Sequence, residues 1–199
     1  MNARKLAEIG GIAAGVVLIG FGIAVIVLAL NGRSTVNSSL DQERIVGTPD
    51  MTPAQIKAEA EKAGLKDVDL PTCTVAGKPV NDGSSARCFA QYMRVHALLA
   101  TGGLTYAEMP RYATEDGKGT NDAAEATKGP NGQPLDNPLR SVWINETALS
   151  TALNVSYMAT QLALFSLVVG IALLLAGVGF VILAGFGVLR RREPVAAAA

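Results

Sequence analysis

The chain has 199 residues, 49% of them apolar, and its 17 basic and 17 acidic side chains leave no net charge. No basic patch points to nucleic acid. One histidine and two cysteines do not readily supply the four nitrogen and sulfur groups of a structural zinc site. They cannot supply the two histidines of a 2-His-1-carboxylate iron site within one chain.

The apolar residues gather in two blocks. The first, Ile9 to Leu30, is 22 residues without a charge or a proline; as a helix it would be about 33 Å long, enough for a hydrocarbon core of about 30 Å. Arg4 and Lys5 precede it. An h-region normally runs about 7–15 residues and ends at an A-x-A-like site, whereas this block exits through LALNGRS, so an uncleaved anchor is expected rather than a cleaved signal. The polar stretch Asn31 to Asp50 reads as a loop, with a frayed extension of the helix at its start.

Thr52-Pro53-Ala54-Gln55 combines an N-cap, a proline at the first helical position and a capping-box glutamine. It predicts a short helix over 53–63, terminated by Gly64. The β-branched residues around Ala76-Gly77 and the turn signal Asn81-Asp82-Gly83 predict a small extended hairpin. From Ser84 or Ser85 to Thr101, the residues Cys88, Phe89, Tyr92, Val95, His96 and Leu99 share one helical stripe. Gly102-Gly103 ends that helix. Cys73 and Cys88, the only cysteines, are expected to pair as one disulfide. Its loop of about 16 residues is worth about 3 kcal/mol in the chain-entropy account.

Thr105 to Glu108 forms a second capping box, opening a turn that Pro110 limits. Residues 113–138 hold one large apolar side chain, Leu135, and are expected to be a mobile loop. Helical periodicity resumes at Leu139, with Leu149, Leu153 and Tyr157 in phase, and runs into the second block. Trp143 is expected in the core and Tyr157 at a membrane interface. The second block, Leu162 to Leu189, has 28 residues with Ser166 its only polar side chain. At about 42 Å of helix it exceeds a bilayer core.

The expected fold class is therefore mainly α: a two-transmembrane-helix membrane protein with a small, α-rich, disulfide-stapled extracytoplasmic domain. Its parts are a cytoplasmic N-terminus at 1–8, transmembrane helices at 9–30 and 162–189, an extracytoplasmic domain at 31–161 and a cytoplasmic tail at 190–199. Arg4, Lys5, Arg190, Arg191 and Arg192 predict that both termini are cytoplasmic.

Small residues recur every seven positions in both blocks: Gly15, Gly22 and Ala29 in the first, and Ala163, Gly170, Gly177 and Ala184 in the second. Gly11-x-x-x-Gly15 overlaps the first series. A seven-residue period keeps one face of a left-handed helix pair in contact, and small residues permit close approach. An antiparallel packing seam is expected, within one chain or between neighbouring copies.

The rest of the sequence offers little chemistry. It holds no phosphate loop, no G-x-S-x-G and no H-E-x-x-H. His96, inside an apolar stripe, is expected to pack rather than to ligate or catalyse. Glu59, Glu61, Asp67 and Asp69 lie among lysines on an expected solvated face. Glu115, Asp116, Asp122 and Glu125 lack the calcium-loop frame. No catalytic, cofactor or metal residue is assigned. Without ionisable residues inside the blocks, transport by one chain is not expected.

The blocks RIVGTPDMTPAQI, KDVDLPTCTVAGKPV, ARCFAQYMRVHALLATGGLTYAEM and NETALSTALNVSYMATQLALFSLVVGIALLL resemble a group of uncharacterised actinobacterial membrane proteins, across nearly the whole chain apart from 113–138. Some members carry the label aromatic ring-opening dioxygenase, which a chain with one histidine contradicts. The resemblance implies an actinobacterial plasma membrane and no catalytic residue. The expected function is a non-enzymatic membrane accessory or scaffolding protein that presents its external domain to a cell-envelope partner. A small subunit of a larger transport or respiratory complex is the alternative. The bilayer, a membrane-protein partner and a second copy are the partners expected.

Overall fold

The structure, a computed structural model, describes residues 3–186. The side chain of Arg4, the end of the second apolar block from 187 and the basic cluster at Arg190–Arg192 lie outside the described residues. The chain divides into two compact units, one of residues 1–35 with 160–199 and one of residues 36–159. Its described helices are α1 (Ala3–Glu43), α2 (Pro53–Lys62), α3 (Gly83–Ala100) and α4 (Pro138–Gly185). Isolated bridges occur, but no strand forms among the described residues. The chain is mainly helical, as its sequence predicts.

Two of the helices, α1 with 41 residues and α4 with 48, are long and apolar. Mean hydropathy reaches 2.8 and 2.9 in their most apolar 18-residue stretches, and only 17% of each stretch is buried. The core helix of a soluble protein would be mostly buried. In the first unit, therefore, apolar side chains such as Phe21, Leu28, Phe165 and Leu175 face outward, each more than 60% exposed. The polar stretch after Leu30 differs from the expected loop: α1 continues through it to Glu43, where Arg44 breaks the helix at φ 52°.

The second unit packs around α3. Tyr92, Val95, Ile56 and Val80 are almost wholly enclosed, with Met51, Val75, Ala86, Phe89, Leu40 and Leu153 around them. Helix α2 begins where the sequence says: Thr52 accepts from the Gln55 N–H, and Pro53 occupies the first turn. It ends at Gly64, φ 69°, where the Leu65 N–H reaches Ala60 and the Gly64 N–H reaches Glu61. Helix α3 starts at Gly83, one or two residues early, because Asp82 is its N-cap rather than part of a hairpin turn. The Asp82 carboxylate accepts from the Ser85 N–H at 2.7 Å, and the Ser85 hydroxyl accepts from the Asp82 N–H at 3.1 Å.

The expected hairpin is replaced by pairing with a distant segment. Residues 75–80 fold back on Ile45–Gly47: the Gly47 N–H donates to Lys78, the Gly77 N–H to Gly47 and the Val80 N–H to Ile45. A side chain at Gly47 would sit 2.1 Å from the Val75 carbonyl oxygen, so only glycine fits there. Residues 113–138, expected to be mobile, form a hydrogen-bonded loop. The Thr127 N–H donates to Ala113, Ala113 to Leu135 and Leu135 to Thr127, while Tyr112 and Thr120 exchange both backbone bonds. Side chains stand in for the missing apolar core: Asp116 accepts from Thr114, Asp122 from the Ala124 N–H, and Asn137 donates to Pro110. Asn137 also accepts from the Leu139 N–H, capping α4.

Cys73 and Cys88 are joined as a disulfide, with Cα atoms 6.1 Å apart. Beside it the Tyr92 hydroxyl donates to the Cys73 carbonyl at 2.6 Å, fixing the same loop to α3 a second time. Replacing both cysteines with serine should lower the stability of the 36–159 unit by about 3 kcal/mol, measured by denaturant unfolding. Alkylation of the native chain without reductant should add no mass; two added groups would show free thiols.

Candidate functional site

Two constellations stand out, one in each unit. In the first unit α1 and α4 run antiparallel and meet along the glycine series. A Cβ built on Gly15 would lie 2.7 Å from the Gly177 carbonyl oxygen, and one on Gly22 would lie 2.8 Å from that of Gly170. From the other side, a Cβ on Gly177 would lie 2.7 Å from the Gly15 oxygen and 2.8 Å from the Ile19 nitrogen. These are backbone atoms, which cannot turn aside as a side chain can. Gly15, Gly22, Gly170 and Gly177 are buried, as are Ala29 and Ala184 at 5% exposure each; Ala163, nearer one end, is half-buried. Gly11 extends the line, its Cβ position 3.1 Å from the Ala184 Cβ. The seam lies within one chain. Gly10, Gly20 and Gly179, off the line, have open space around them.

In the second unit three chemically active side chains converge from three elements. Asp50 comes from the turn before α2, Glu59 from α2 and His96 from α3. One donor atom of each lies within 4.8 Å of the others. The His96 Nε2 is 2.8 Å from the Asp50 Oδ2, with the two side chains 27% and 33% exposed. That nitrogen is itself enclosed. The Thr48 hydroxyl holds the Asp50 carboxyl below its usual range; partial burial opposes this, and the Asp50 N–H and His96 add to it. One turn before His96 on α3, burial pushes the Tyr92 phenol up, with the Asp50 charge adding to it.

This grouping adds a partner to His96 and takes Glu59 off the expected solvated face. His96 does sit beside the apolar stripe, but its ring nitrogen faces carboxylates. Glu59 leaves the solvated face that Glu61 keeps, where Lys57 and Glu61 pair at 3.8 Å in an exposed i,i+4 contact. Asp50 carried no signal in the sequence, because the three residues are far apart in the chain and only the packing of α2 on α3 joins them.

A third polar cluster joins α3 to α4. Glu146 of α4 is 2% exposed, pairs with Arg94 at 3.1 Å and accepts from the Ser150 hydroxyl at 2.6 Å. A carboxylate so enclosed stays only because it is paired and hydrogen-bonded. Arg94 also stacks on Trp143, 4.7 Å from the ring centroid. Trp143 is thus half-buried at a surface cleft with Tyr106, Ile144 and Thr147, not in the core as expected. Tyr157 lies under Arg87, whose guanidinium carbon is 4.8 Å from its ring.

No protein-family model matches the chain, and no curated protein or solved structure matches it.

The seam makes a direct prediction. Gly177→Leu must force two backbones apart and should cost about 1–3 kcal/mol, read as a lower melting temperature of the purified chain. Val168→Leu, at a position 60% exposed, should stay within about 0.5 kcal/mol of the parent. Equal melting of the two variants would mean that the seven-residue spacing does not organise the helix pair.

Proposed function

We propose that the chain is a membrane-anchored accessory or scaffolding protein, with α1 and α4 crossing a plasma membrane and the 36–159 unit presented outside the cytoplasm to a cell-envelope partner. The observation that carries the reading is the outward-facing apolar surface of the two long helices, only 17% buried in their most apolar stretches. Water would penalise that surface at about 25 cal/mol per Å², whereas lipid would not. Close backbone approach at the glycines is also what holds helices together where lipid removes the hydrophobic drive between them.

Three further observations support the placement of the parts. Basic residues flank both apolar blocks at their outer ends, Arg4 and Lys5 at one and Arg190 to Arg192 at the other, which favours cytoplasmic termini. A disulfide in the 36–159 unit suits an oxidising compartment. The likeness of four sequence blocks to actinobacterial membrane proteins agrees with the location. The proposal assigns no reaction to the chain.

Reporter fusions that are active only outside the cytoplasm should give signal at residue 120 and none at residue 199; the reverse pattern would overturn the topology. Purification in mild detergent with mass spectrometry then addresses the role. An envelope protein or a second copy of the chain recovered with it fits the proposal. A fixed set of large membrane subunits would instead make the chain part of a transport or respiratory assembly.

A further inference from the structure

We propose that Asp50, Glu59 and His96 form a binding site for one divalent transition-metal ion, with zinc as the ion it takes. The site lies wholly within the 36–159 unit, so the inference does not depend on the membrane reading.

Each residue offers one ligand atom, and the three atoms lie within 4.8 Å of one another. Zinc is bound by imidazole nitrogen and carboxylate oxygen at about 2.0–2.2 Å, so a small inward movement of half-exposed side chains brings all three into range. One neutral imidazole with two carboxylates cancels the charge of a dication. An imidazole favours zinc and its neighbours over calcium or magnesium, which prefer oxygen alone. Three protein ligands leave a position for water or for a group from a partner, the pattern of open zinc sites.

The surroundings bring the donors together. The enclosed His96 Nε2 already lies 2.8 Å from the Asp50 Oδ2, so two of the three donors face one point. Two carboxylates held near each other repel unless a cation stands between them. Glu59 makes no salt bridge among the described residues, although its neighbour Glu61 does.

The site is also held in place. Each ligand adjoins a nearly enclosed residue: Met51 after Asp50, Ala60 after Glu59, and Val95 and Ala97 around His96, all at most 4% exposed. Tyr92, one turn away on the His96 helix, is tied to Cys73. The backbones that carry the ligands are therefore fixed by the core before any ion arrives, which is how packing preorganises a metal site.

The test uses the full chain, stripped with a chelator and titrated with zinc chloride by calorimetry. One zinc per chain should bind, and the melting temperature should rise with zinc. His96→Gln and Glu59→Gln should each weaken binding at least tenfold, while Glu61→Gln, on the exposed face, should bind like the parent. Calcium in hundredfold excess should not displace the zinc. Melting curves without metal show whether each variant folds, and Glu59→Gln, on the half-exposed side, carries the test if His96→Gln does not. Absence of saturable zinc binding by the parent overturns the proposal. So does equal affinity in folded Glu59→Gln and Glu61→Gln.

Discussion

Backbone contact between α1 and α4 is the constraint from which the first unit follows. Each helix is apolar nearly all round, so hydrophobicity alone cannot choose which faces meet. The glycines choose. Along one line a Cβ on any of four residues would fall 2.7–2.8 Å from an atom of the opposing helix, most of them backbone atoms, or 3.0 Å from a carbonyl oxygen at the loosest. Elsewhere on the same helices Gly10 and Gly179 meet nothing. Shape therefore supplies the specificity that polarity would supply in a water-soluble pair, and a register shift would bring larger side chains to the contact points.

The 36–159 unit solves a different problem with different means. Its core is small, built on Tyr92, Val95, Ile56 and Val80, and much of its chain lacks regular structure. The disulfide and the Tyr92 hydroxyl fasten the 73–80 segment to α3, and that segment in turn pairs with Ile45–Gly47. Through this chain of contacts the turn bearing Asp50 is set against α3, where His96 stands. The metal-binding geometry is thus a by-product of how the loop is tied down, and loosening the tie should loosen the site.

What the sequence discloses follows from the range of each interaction. Caps are local, so Thr52 with Gln55 announces α2 directly, and Gly64 and Gly102 announce helix ends. A seven-residue repeat is local to one helix, so the seam residues can be named before any partner is known. The disulfide needs no search when only two cysteines exist. Misreadings arise where one local signal serves two structures: Asn81-Asp82-Gly83 reads as a turn, but Asp82 caps a helix with Ser85. The 113–138 loop looks mobile by composition because small polar residues bury little area. It nonetheless carries backbone hydrogen bonds among Ala113, Thr127 and Leu135, a pairing invisible to composition. Asp50, Glu59 and His96 meet only after α2 packs on α3, as do Arg94 and Glu146 once α4 is in place. No periodicity encodes either meeting.

The central claim is that one chain pairs its own two apolar helices through this seam, and oxidative cross-linking tests it most directly. Gly11 and Ala184 face each other, with the Cβ position of the first 3.1 Å from the Cβ of the second, close to the roughly 3.5–4.5 Å that a disulfide spans. In membranes, the Gly11→Cys/Ala184→Cys chain should cross-link within the monomer under mild oxidation, and a Gly10→Cys/Ala184→Cys chain should not. Cross-links only between chains, or equal cross-linking of the two pairs, would contradict the account.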